Sequence, residues 1–166
     1  MSSLALIDLI RILLILILAY LAYIDWRTFR LPNLITLPLV FTGLCLNSFR
    51  GMQFVSLQES IIGALVGYLL LWLLNRIYRY VKKQEGIGMG DAKLLAALGA
   101  WLGWTSLPGI LLIASLTGII GGIVWLRLNK QNHRAPFPFG PFLIFAGIIE
   151  LLWPQLIQNL LLNNLT

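Results

Sequence analysis

Long apolar runs separated by short polar stretches organise this chain from end to end. Leu4–Tyr23 is the first run, broken only by Asp8 and Arg11 near its start. Leu34–Phe49 is the second, and Leu57–Leu74 the third, extendable to Tyr80. Leu94–Trp104 is a short fourth, Leu107–Leu128 a fifth, and Pro138–Leu152 opens a sixth that can run past Pro154 to Leu162. A helix crosses the hydrocarbon core with about 20 apolar residues. A barrel strand would alternate polarity over roughly 10 residues, and none of these runs alternates. The pattern predicts an all-α polytopic membrane protein with about six transmembrane helices, the fourth short. It forms one domain over residues 1–166.

Composition sharpens this. Of 166 residues, 59% are hydrophobic and 11% charged, with a mean hydropathy of +0.88. Soluble domains carry about 25% charged residues, so a water-soluble globule and a disordered tail are excluded. No basic stretch precedes the first apolar run, which is long enough to span, so it reads as a permanent anchor rather than a cleaved signal. Cys45 is the sole cysteine and His133 the sole histidine. They make no intrachain disulfide and no zinc site, so no metal and no cofactor is expected.

The net charge of +6 reads as orientation. Lys and Arg concentrate on the cytoplasmic side of membrane proteins. The first inter-run loop holds Arg27 and Arg30; the third holds Arg76, Arg79, Lys82 and Lys83, with Lys93 just beyond; the fifth holds Arg127, Lys130 and Arg134. The odd loops therefore carry ten of the twelve cations, leaving Arg11 and Arg50. Both termini are expected outside and the odd loops in the cytoplasm. Attraction to anionic lipid follows as a by-product, and no nucleic-acid partner is implied. The same count requires the short fourth run to cross or nearly cross. Eleven helical residues reach only about 16 Å, so its start can lie below the surface, at a depth open to the cytoplasm.

Six acids remain to be sorted: Asp8, Asp25, Glu59, Glu85, Asp91 and Glu150. Acids within spans are expensive and often functional. Asp8 and Glu59 fall at outer span ends, Glu85 lies in a loop with Lys82 and Lys83, and Glu150 suits an inter-helix polar contact. Asp25 ends the first span and Asp91 opens the fourth, which places both at one cytoplasmic depth although 66 positions separate them. Two carboxylates on one pocket can share a proton, one serving as general base on a water and the other as general acid. Alternatively, each caps a helix or pairs with a cation: Asp91 as an N-cap, Asp25 with Arg27 or Arg30. Asp91 follows Gly86-Ile87-Gly88-Met89-Gly90, where alternate glycines permit unusual backbone and close approach. Non-helical backbone at membrane depth is tolerated where it lines a cavity. A transporter using the same acids as ion ligands or proton carriers is the competing reading, and a catalytically idle scaffold a third.

Three blocks resemble the type IV prepilin peptidases, membrane aspartic endopeptidases with a GxGD motif. The first, Ile24-Asp25-Trp26-Arg27-Thr28-Phe29-Arg30-Leu31-Pro32-Asn33-Leu34-Ile35-Thr36, is similar to the block around the family's first aspartate. The second, Gly88-Met89-Gly90-Asp91-Ala92-Lys93 with the following Leu94–Trp104, is similar to the GxGDxK stretch. The third, Pro138-Phe139-Gly140-Pro141, is similar to the segment that opens the last span. The resemblance implies that Asp25 and Asp91 are the catalytic pair, supported by Gly88, Gly90, Lys93, Pro32, Asn33 and Gly140. It implies that short basic leaders are cut from prepilins or type II secretion pseudopilins at the cytoplasmic face of the bacterial inner membrane. Asn33 stands where many members have Asp. Many members also carry an N-terminal four-cysteine zinc module associated with N-methylation. Only 24 residues precede Asp25 here and no cysteine pair exists, so peptidase activity alone is expected.

Aromatic residues are expected mostly as span-end anchors, Trp101 and Trp104 marking the outer end of the fourth run. Gly63/Gly67 and Gly118/Gly122 have the small-xxx-small spacing of close helix contacts, within the chain or in a homodimer.

Overall fold

A computed structural model describes residues 3–49, 53–82, 88–129 and 138–154 of the chain. The described residues form six α-helices: α1 (Ser3–Thr28), α2 (Asn33–Ser48), α3 (Leu57–Lys82), α4 (Met89–Leu102), α5 (Leu107–Asn129) and α6 (Gly140–Leu152). A single 3-10 turn, Trp104–Ser106, joins α4 to α5. Each apolar run has become one helix, since only helices satisfy every backbone group internally in lipid. Among the described residues three stretches are long and apolar enough to cross a membrane, Ala5–Thr28, Leu57–Val81 and Trp104–Val124, while α2 and α6 are shorter apolar helices. The protein is an all-α membrane protein. Glu85, Gly86, Ile87, Lys83, Lys130, His133, Arg134 and the continuation to Leu162 lie outside the described residues.

The short fourth helix is the centre of the molecule. Every residue of α4 from Leu94 to Leu102 is buried. It packs chiefly against α3 and α2, and also meets α6, which itself lies against α1 and α5. Outward positions stay apolar: Leu16, Phe41, Leu65 and Ile119 are all well exposed. Lipid is as apolar as leucine, so such a bundle gains little from hiding leucines and depends on close packing.

The glycines provide that closeness. A Cβ on Gly63 would lie 2.8 Å from the carbonyl carbon of Gly99, and one on Gly67 would lie 2.6 Å from the carbonyl oxygen of Leu95. The Gly63/Gly67 face is therefore spent on α4 within the chain. Of the second pair, Gly118 faces the Phe139 ring at 3.3 Å.

A buried polar cluster locks the end of α4. Asn47 on α2 donates to the Ala100 carbonyl at 2.9 Å and accepts from the Phe54 amide at 2.8 Å. Ser60 on α3 donates to the same Ala100 oxygen. Trp101 differs from its expected place at the membrane edge. It is buried, its indole N–H donating to the Leu39 carbonyl at 2.8 Å, because α4 ends inside the bundle. Trp104 is half exposed. Glu59 closes a capping box on α3, accepting from the Ser56 amide at 3.1 Å while its own amide donates to the Ser56 hydroxyl at 3.3 Å. The sequence Ser56-x-x-Glu59 carries that signal by itself.

Candidate active site

Three helix ends converge at one side of the bundle. Asp25 lies in the last turn of α1, which runs on to Thr28. Asp91 lies in the first turn of α4, whose N-cap position is taken by Gly88, extended at φ −65° and ψ 134°. Asp91 is thus the third residue of the helix and not its cap, since Met89 and Gly90 are already helical. Gly140 is the first residue of α6.

Gly140 brings the two acids together. A methyl group built on it would lie 3.0 Å from the Asp25 carboxyl carbon and 3.4 Å from Asp91 Oδ1, with Asp25 Oδ2 closer still. Both carboxylates therefore reach one point in space, and only a residue without a side chain leaves that point open. The Gly140 amide also donates to the Asp25 carboxylate. First-turn amides have no partner within their own helix, so this N–H is available, and the positive end of α6 faces the acids.

The two acids differ in exposure. Asp25 is buried, 4% exposed, and its Oδ2 has no hydrogen-bond partner among the described residues. Asp91 is half-buried, beside exposed Gly88 and Met89. The site therefore opens on the Asp91 side. Among the described residues no cation forms an ion pair with Asp25: Arg27 instead donates to the Tyr23 hydroxyl at 3.3 Å, its guanidinium 5.5 Å from that ring.

The remaining predicted residues form the wall around the pair. Gly90 allows the α1–α2 turn to press on α4, a Cβ there lying 3.0 Å from Leu31 Cβ. Pro32 holds the extended N-cap of α2 at φ −69°. Lys93 Nζ donates to Asn33 Oδ1 at 2.6 Å, linking α4 to α2. The turn before Pro32 is held tightly. Phe29 takes a left-handed φ of 53°, its amide donating to the Asp25 carbonyl at 2.8 Å, and Thr28 Oγ1 bonds the Arg30 carbonyl at 3.1 Å. Among the described residues no group of three or more His, Cys, Asp or Glu could hold a metal ion. Asn47, Ser60 and the Gly140 amide went unread in the sequence; the polar Asn47 near the end of an apolar run was the available signal for the first.

An all-helical membrane domain with paired carboxylates at the junction of three helix ends defines the class. The chain belongs to the type IV leader peptidase family, whose model matches residues 12–123 and so includes both aspartates. It is 48% identical over 134 residues to a prepilin leader peptidase/N-methyltransferase of Aeromonas hydrophila, covering 81% of this chain and 46% of that protein. Similar proteins of the same name occur in Dickeya chrysanthemi (46% identical over 127 residues; 76% and 44% covered) and Stutzerimonas stutzeri (47% over 123 residues; 74% and 42%). The chain thus spans less than half the length of these relatives. No solved structure matches it.

Proposed function

We propose that this protein is an aspartic endopeptidase that removes the leader peptide from prepilins or type II secretion pseudopilins. The observation that carries this is the convergence of Asp25 and Asp91 on the position of Gly140. Family membership supplies the substrate class.

The pair holds one proton between its members, as close carboxylates do. The charged member takes a proton from a water as that water attacks the scissile carbonyl carbon. The protonated member gives its proton to the carbonyl oxygen, and the leaving amine is protonated as the tetrahedral intermediate collapses. Burial of Asp25 keeps competing water away from this exchange, while the open Asp91 side admits the peptide. The cation asymmetry supports a site at the cytoplasmic face of the inner membrane, with the substrate's apolar helix in the bilayer.

Co-expression with a prepilin tests the reading. Intact mass should show leader removal by the wild type and none by Asp25→Ala or Asp91→Ala, with both variants extractable and folded in detergent. Cleavage by either variant would overturn it. The same spectrum reports whether the new N-terminus is methylated.

A further inference from the structure

Two acids on different helices face each other only if the helices keep their register and roll. Asp91 sits in the first turn of α4, and that helix has no side-chain cap at Gly88. Helix ends without caps fray. Something else must hold the first turn.

Lys93 is two residues beyond Asp91, so it projects from α4 about 200° away, on the opposite side from the acid pair. Its half-buried stem lies along an apolar groove with Leu37, Tyr68 and Ala96. Its ammonium donates to Asn33 Oδ1 at 2.6 Å. A charged donor at this distance makes one of the stronger hydrogen bonds available. The bond itself is exposed, Asn33 lying at the surface, so its hold on α4 comes from the elements it joins and not from exclusion of water.

Asn33 opens α2, one residue after Pro32. The chain from Asn33 back to Asp25 is short and stiff. It contains Pro32, the left-handed Phe29 and the Thr28 hydroxyl bridge, and Leu31 within it presses on Gly90. The hydrogen bond therefore closes a ring that runs from Asp25 through the turn to Asn33, across to Lys93, and back along one half-turn of α4 to Asp91.

We propose that Lys93 and Asn33 form a positioning clasp that sets the roll of α4 and so fixes the spacing of Asp25 and Asp91. Neither residue touches the reacting atoms; each acts through the aspartates. A small roll of α4 swings the Asp91 carboxylate sideways, and a misplacement of about 1 Å can cost roughly a hundredfold in rate. The clasp rests on the peptidase reading for its consequence in rate, but its geometry can be read without chemistry.

Two measurements on the full chain in detergent test it. The first is leader cleavage of a prepilin. Lys93→Met and Asn33→Leu should each lower kcat about tenfold to a hundredfold with KM little changed. The double variant should be no worse than either single, since both break one bond. Asn33→Asp, which keeps an oxygen acceptor, should lose far less than Asn33→Leu. The second measurement places cysteines at both acid positions, Asp25→Cys and Asp91→Cys with Cys45→Ala, and follows their joining by a short bis-methanethiosulfonate. Joining should slow several-fold when Lys93→Met or Asn33→Leu is added. Additive kcat losses, or joining unaffected by both substitutions, would overturn the clasp. If the wild type cleaves nothing while joining still depends on Lys93, the clasp stands and the peptidase reading falls. The two substitutions approach the bond from opposite ends, so one variant that does not fold leaves the other decisive.

Discussion

Gly140 shows how much one missing side chain can decide. Its Cα faces both carboxylates, and its amide serves Asp25. Gly140→Ala would drive a methyl group into the Asp25 carboxyl, and the acid has a buried setting with little room to retreat. The expected result is a fall in leader cleavage of roughly a hundredfold or more with the helical fold retained, read by kcat beside far-UV circular dichroism. Cleavage near the wild-type rate would show that the pair tolerates displacement. Asp25 and Asp91 were legible in the sequence because only six acids exist and topology sorts them by depth. The partner of Asp25 was not. An amide has no sequence signature, and Gly140 lies 115 positions away.

At the scale of elements, hydrophobic run length predicted six helices and their order. Boundaries moved where polar or glycine residues continue a helix: α1 runs five residues past Tyr23, and α4 begins at Met89 rather than Leu94. The Gly63 and Gly67 spacing was also readable, but its partner was not, because small-xxx-small patterns serve any close helix. The structure spends it on α4. Gly63→Ala would set a methyl group against the Gly99 and Gly103 backbone at 2.8 and 2.9 Å. Backbone cannot rotate aside as a side chain can, so the helices must separate. The cost should be about 1–3 kcal/mol, visible as a lowered thermal midpoint in detergent. Gly103, at φ 83°, ends α4 in a conformation that side chains rarely adopt, its amide donating to the Gly99 carbonyl at 2.9 Å. That stop lets a short helix finish inside the bundle.

In the whole molecule the described apolar helices gather about a buried short one, with Asp25 and Asp91 together at one end. Cation counting is the ground for expecting that end in the cytoplasm. The expectation is checked with single cysteines in a Cys45→Ala background. Arg30→Cys and Arg79→Cys should react with a membrane-impermeant thiol reagent only after the cells are opened, and Ser56→Cys in intact cells. The reverse pattern would move the acid pair to the outer face and remove its access to a cytoplasmic leader.

The sequence by itself determined the solvent, the helices, their order and the two acids worth attention. These follow from local quantities: run length against bilayer thickness, the scarcity of charge, and motifs read within a few residues. Only the tertiary structure decided that α4 sits at the centre, that Trp101 turns inward, that Lys93 meets Asn33, and that Asp25 and Asp91 share the space above Gly140. Each of these joins residues distant along the chain. In lipid, where apolar burial distinguishes little between one packing and another, such contacts are selected by fine steric fit and a few hydrogen bonds. Neither can be read from the order of residues alone.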